Sequence, residues 1–203
     1  VHQLQCCTDG WHERLVRLDP AGDQLVWALG SEPSPRAALL DPQLKENAAE
    51  GDVAEICPWG RAIARALGAR IASDGGAGLF IDYGHGASAA GDTLQAVAGH
   101  DYAEVLERVG EVDLTTHVDF AALAAAFGEA GCQVPGLLTQ GEFLQRLGIS
   151  QRAQTLAAKA DAGQQQQIAS ALHRLIDDAE MGSLFKVMAV GPAAASLPGF
   201  DPA

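Results

Sequence analysis

The run Leu79-Phe80-Ile81, closed by Ala77-Gly78 on one side and by Asp82-Tyr83-Gly84 on the other, constrains the fold more than any other stretch. A short apolar run bounded by glycines is the pattern of a strand buried on both faces of a parallel sheet. A helix precedes it. Ile63, Leu67 and Ile71 recur at helical spacing among Arg61, Arg65 and Arg70, Pro58 suits a first-turn position, and Ser73-Asp74-Gly75-Gly76 ends the pattern. Farther on, Asp119 stands where an N-cap belongs before the Ala-rich residues 120–131, which stop at Gly131. A strand is predicted over 132–138, where Pro135 argues for a bend or an edge position. Helices are predicted over 139–159 and 164–177, a last β run over 184–190, and a tail over 197–203. In the second helix Ile168, Leu172, Leu175 and Ile176 form the stripe and Gln164 to Gln167 lie outside it. Alternating strands and helices argue for an α/β sheet with helices on its faces.

The first part of the chain is different. Residues 1–18 read as two β runs around Thr8-Asp9-Gly10, where Asp-Gly supplies the positive φ of a tight hairpin. A turn at Asp19-Pro20-Ala21-Gly22 leads to a strand over 25–29, and Pro33, Pro35 and Pro42 mark an irregular surface connection. Residues 52–57 read as another strand. The stretch 84–116 is Gly-rich and acidic, with only 93–97 extended, and functional loops sit in such places. The division is a β-rich segment 1–57 and an α/β segment 58–203.

Charge and composition narrow the function. Thirteen Lys and Arg face 26 Asp and Glu, a net charge of -13, so the field repels nucleic acid phosphates and anionic lipid headgroups. No stretch reaches the roughly 20 continuous apolar residues that a membrane helix needs. Residues 1–4 carry no initiator Met, basic region or apolar core of a leader, and the chain reads as truncated. Cys6, Cys7, Cys57 and Cys132 are too scattered for a metal knuckle and are expected as reduced, mostly buried thiols in a cytosol-like compartment, and the richness in Ala and Gly without a transit segment suits a bacterial cytosol.

The residues offer three chemistries. Gly84, Gly86 and Ala89 fit the dinucleotide pattern G-x-G-x-x-A, but Gly91-Asp92-Thr93 breaks any helix that should open there to hold a pyrophosphate. A hydrolase would use Ser88, His85 or His117, and Asp119, yet the G-x-S-x-G elbow is absent. His85, His100 and His117 with Asp82 and Asp119 offer metal-ligand types, none at helical i, i+4 spacing, so no metal is expected. Ligands of open α/β sheets sit beyond the carboxyl ends of the strands, which points to Asp82 and Tyr83. Asp113, Thr115, His117 and Asp119 add polar groups in the loop that returns to the next helix.

Seven segments then resemble one family in order along the chain: GWHERLV from Gly10, EICP from Glu55, LFIDYGH from Leu79, GDTLQAV from Gly91, VDLTTHVDF from Val112, TQGEFLQRLGI from Thr139 and MGSLFKVMAV from Met181. The sequence is identified as resembling the MidA-type methyltransferases, a family that includes a mitochondrial protein-arginine methyltransferase of complex I assembly. The resemblance implies the C-terminal portion of a class I, Rossmann-like methyltransferase sheet, with a β-hairpin insertion near the N-terminus and added C-terminal helices. Residues 79–83 would be central, with 132–138 and 184–190 as the terminal pair. It implies S-adenosylmethionine as methyl donor, bound mostly outside this chain, and a protein substrate with a target arginine.

A guanidinium stays protonated far above neutral pH and is a poor nucleophile until carboxylates hold it and help its proton leave. Asp82, Asp113 and Asp119 are expected to supply the negative charge, with Tyr83, Thr115 and His117 as orienting groups for the substrate. No residue is assigned a catalytic or donor-binding role. The alternative is a non-catalytic, partner-binding subunit of the same fold. An isolated half-sheet would also expose a strand edge, so self-association is expected.

Overall fold

In a computed structural model, residues 1–99, 101–193 and 195–200 are described. The elements run β1 (His2–Cys7), β2 (Gly10–Leu18), β3 (Leu25–Leu29), α1 (Pro42–Asn47), β4 (Val53–Ile56), α2 (Pro58–Asp74), β5 (Gly78–His85), β6 (Gln95–Ala98), β7 (Asp101–Ala103), β8 (Asp113–Thr115), β9 (Val118–Asp119), α3 (Phe120–Glu129), β10 (Leu137–Thr139), α4 (Gln140–Arg146), α5 (Ile149–Ala157), α6 (Ala162–Ile176), α7 (Met181–Leu184) and β11 (Phe185–Val190). The chain divides into two compact units, Val1–Gly60 with Ala87–His117, and Arg61–Gly86 with Val118–Ala203.

The first unit holds two antiparallel sheets, β3-β2-β1-β4 and β7-β6-β8. The expected hairpin is present, with Cys7 paired to Gly10 across a two-residue turn. Gly10 carries the positive φ, at 138°, while Asp9 turns its carboxylate toward His12. The second turn is tied by Asp19, whose Oδ1 accepts from the amides of Gly22, Asp23 and Gln24. Leu4, Trp11, Leu40, Leu44, Ala54 and Ile56 form the core of this unit.

Two expectations fail here. The Pro-rich connection is not irregular: Pro35 and Pro42 each open a helical turn, a 3-10 turn over Pro35–Leu39 and α1, behind Ser34 and Asp41 as N-caps. Proline is favoured at N1 because its missing N–H would have had no helical partner. The segment 84–116 also contains more than one extended run, since β7 and β8 flank β6 to make a sheet. Strands of three residues leave too few alternations to read a period.

In the second unit the sheet order is β10-β11-β5-β9. Strand β11 runs antiparallel to both β5 and β10, which makes those two mutually parallel. The β10–β11 pair is thus terminal, as expected, but β10 is confined to Leu137–Thr139, preceded by an isolated bridge from Gln133 to Gly191. Helix α3 covers one face with Phe120, Ala126 and Phe127 against Met188 and Val190, and Phe80 packs on Phe127 with ring centroids 5.2 Å apart.

The strand β5 is not buried on both faces as its composition predicted. Leu79 is 53% and Ile81 45% exposed, and among the described residues the side away from β11 is paired only at Gly84 and His85, in parallel with Val118 and Asp119. The predicted helix over 139–159 is two helices. Gly148, at φ 82°, breaks the chain between α4 and α5, a left-handed conformation that glycine adopts without steric cost. Helix α4 begins in a capping box between Thr139 and Glu142, and α6 in one between Asp161 and Gln164. Gln164 to Gln167 are exposed, on the outer side of α6 as predicted.

Candidate functional site

The six predicted site residues divide between the units. In the second unit Asp82 and Tyr83 lie on β5, which continues to His85, so they stand inside the carboxyl end rather than at it. The exposed Asp82 carboxylate accepts from the Tyr83 amide at 2.8 Å and lies opposite Lys186 in the strand register. Tyr83 packs edge-on against Phe185, its cross-strand partner, at 5.6 Å. Asp119 caps α3, its Oδ1 accepting from the Ala122 amide at 2.9 Å, as its place before the Ala-rich run predicted. It is also the register neighbour of His85.

Gly84 makes this juxtaposition feasible. A Cβ at that position would stand 2.2 Å from the Val118 carbonyl oxygen and 3.0 Å from Phe120 Cε2, so only glycine lets β9 lie against β5. Gly86, just past the strand end, lines a cavity of about 400 Å³ together with Phe120, Ala124, Val134, Leu137 and Met188, an apolar setting with no charged wall.

Asp113, Thr115 and His117 belong to the first unit. Asp113 and Thr115 are on β8, opposite Val97 and Gln95 of β6. The His117 amide donates to Thr93 Oγ1 at 2.9 Å, and that hydroxyl donates in turn to the Glu55 carboxylate. Glu55 also accepts from Gln3 Nε2 at 2.8 Å, and the same Nε2 donates to Asp92 at 2.7 Å. The other Asp92 oxygen accepts from Arg14 at 2.6 Å, and the Arg14 guanidinium lies 4.6 Å from the centroid of the Trp27 ring. Partial burial pushes the Asp92 carboxyl up, but the Arg14 and Gln3 hydrogen bonds outweigh it and hold the group below the ordinary carboxylate range. Gln3 is 94% buried, and its Oε1 has no partner.

This network was not predicted. Yet Arg14, Glu55, Asp92 and Thr93 all lie in segments that carry the resemblance, GWHERLV, EICP and GDTLQAV. The available signal was that these residues stand beside apolar ones inside motifs that carry the resemblance.

Among the described residues no group of His, Cys, Asp and Glu is arranged to hold a metal ion, and His100 lies outside those residues. The four cysteines are free, with Cys57 exposed rather than buried, and burial together with Cys7, Asp52 and Glu50 pushes the Cys6 thiol up. The Gly84 to Ala89 pattern leads into residues 86–94, which form neither helix nor strand, so it presents no helix N-terminus. That pattern therefore offers no helix N-terminus for the pyrophosphate of a dinucleotide.

The sequence pattern of the family described as "Putative S-adenosyl-L-methionine-dependent methyltransferase" matches residues 1–138. The chain belongs to this family. Its relatives include the mitochondrial protein arginine methyltransferase NDUFAF7 of Xenopus tropicalis, 35% identical over 194 residues, which covers 95% of this chain and 44% of the relative. The human NDUFAF7 protein is 32% identical over 195 residues, with 95% and 42% covered. A crystal structure from Burkholderia thailandensis, described as that of a "likely methyl transferase" bound to S-adenosyl-homocysteine, is 31% identical, with a TM-score of 0.81 over 98% of this chain and 52% of that one. A second structure from the same bacterium is 32% identical with a TM-score of 0.82. The chain thus spans about half the length of the family members it matches. The fold is a mixed α/β one with several sheets, as in those structures. No helix of the described residues is long and apolar enough to cross a membrane.

Proposed function

We propose that this chain is the C-terminal part of one methyltransferase domain that transfers a methyl group from S-adenosylmethionine to an arginine of a protein substrate. The observation that carries the reading is the likeness over 98% of the chain to a methyl transferase holding S-adenosyl-homocysteine, the product such a donor leaves. The name of the NDUFAF7 relatives, protein arginine methyltransferase, supplies the acceptor. The donor is held mostly by residues outside this chain. A bacterial cytosolic location belongs to the same proposal, the Burkholderia relatives being bacterial and the NDUFAF7 relatives mitochondrial.

What these residues contribute is acceptor binding. A guanidinium must be oriented and must lose a proton as its nitrogen forms the new bond, and carboxylates favour both by bidentate hydrogen bonding and by charge. Asp82 and Asp113, both exposed, are proposed to offer that charge, and Asp119 to add to it while it caps α3. Tyr83, Thr115 and His117 are proposed as orienting groups. For His117 the support is its backbone, which the Thr93–Glu55 pair fixes in place.

The test uses the full-length protein that contains this chain. It is expected to bind S-adenosyl-homocysteine saturably in a calorimetric titration and to move radiolabel from methyl-labelled S-adenosylmethionine to protein. A folded, full-length protein that binds neither compound would overturn the reading.

A further inference from the structure

The first unit contains a groove of about 910 Å³ that the sequence did not announce. One wall is the stretch 23–27, which runs from the turn into β3, and the other is 104–107 with Val109. Five consecutive residues line it, although alternate side chains of a strand point to opposite faces. A groove in contact with both parities runs along the strand's edge.

That edge is open. Strand β3 is the outermost strand of its sheet and, among the described residues, pairs only with β2. Asp19 N donates to Gln24 O, and Gly30 N donates to Glu13 O, which marks these as hydrogen-bonded pairs at the two ends of the ladder. The antiparallel alternation between them turns the N–H and C=O of Leu25, Trp27 and Leu29 away from β2.

The lining is acidic over an apolar floor. Asp23, Asp92, Glu104 and Glu107 bring four carboxylates, against the guanidinium of Arg14, which is already bound to Asp92. Arg14 also shows how this wall receives a guanidinium, stacked on Trp27 and hydrogen-bonded to a carboxylate.

From these observations we infer that the groove binds an extended, basic segment of the protein substrate, which adds as a strand to the free edge of β3 while its Arg or Lys side chains meet Glu104, Glu107 and Asp23. Main-chain hydrogen bonds supply affinity and alternate side chains supply selectivity, as in other strand-addition complexes. This rests on the protein-substrate reading above, and gives that substrate a docking segment besides the target arginine.

The experiment is fluorescence polarisation of a labelled (Arg-Val)4 octapeptide with the full-length protein that contains this chain, at low salt. Saturable binding is expected, weakened at least tenfold by the double substitution Glu104→Lys, Glu107→Lys, and by N-methylation of every peptide bond of the probe, with no binding of (Glu-Val)4. Both substituted positions are exposed, and matching circular dichroism separates lost binding from lost fold. Equal affinity of the double variant, or of the N-methylated probe, overturns the inference. If the full-length protein transfers label while those controls bind equally, the groove assignment fails and the transferase reading stands. Selective peptide binding without label transfer gives the reverse.

Discussion

The Arg14 guanidinium donates to Asp92 at 2.6 Å across 78 positions of chain, joining β2 to the segment that precedes β6. The Arg14 side chain is 14% exposed and that of Asp92 47%. Solvent screening at Asp92 keeps the pair near the lower end for charged hydrogen bonds, so Arg14→Ala is expected to lose about 1 kcal/mol in a urea melt at pH 7. The sign of the pH dependence follows from the lowered Asp92 pKa. Its contribution is complete above the unfolded value of about 3.9 and is lost as pH falls through the native one, so the variant and parent should converge at low pH. A difference that stays constant from pH 7 to pH 2 would remove the ion pair from the account.

His12 should act on the opposite limb. Its Nδ1 lies 2.8 Å from the Gly30 carbonyl and its Nε2 2.8 Å from the Asp9 carboxylate, so the imidazolium satisfies both acceptors. The Gly30 carbonyl first, and then Asp9, hold its pKa above the ordinary value, against burial. A raised pKa contributes stability that is full below the unfolded value of about 6.5 and is lost as pH rises through the native one. His12→Gln should therefore flatten the fall in stability on the alkaline side, and an NMR titration should place the His12 midpoint above that of a histidine in a denatured chain.

Much of this was legible because local physics decided it. The helix at Pro58, the cap at Asp119 and the tight hairpin around Asp9 each follow from a period, a cap or a turn residue within a few positions. The open face of β5 was not legible, since Leu79 and Ile81 are apolar whether or not anything covers them. Nor was the break at Gly148, which interrupts a pattern helical on both sides. The six proposed site residues rest on position relative to strands and on the returning loop. The network of Gln3, Glu55, Asp92 and Thr93 was missed because its bonds span 38 and more positions, a distance at which no local period carries a signal.

Gly84→Ala tests whether β9 depends on close approach. The new methyl group would meet the Val118 carbonyl at 2.2 Å, so the parallel pairing must open, and a loss of about 3 kcal/mol is expected in thermal or denaturant melts. Gly128→Ala is the control. It lies within α3 with nothing within 4 Å of its Cβ, and the substitution should stabilise by about 0.5–1 kcal/mol.

The isolated 203 residues are expected to self-associate. Leu79 and Ile81 are exposed on β5, and among the described residues 78–82 have no strand partner on the side away from β11; such edges recruit another chain. Sedimentation velocity should show a concentration-dependent shift to larger species, reduced by Ile81→Lys. A single monomeric boundary across the whole concentration range would refute this.

The central claim concerns which atom receives the methyl group. Acid hydrolysis of protein labelled in the presence of the full-length protein, followed by amino-acid analysis, reads that directly. The account predicts label in methylated arginine; label confined to lysine, to nucleic acid or to a small molecule would contradict it.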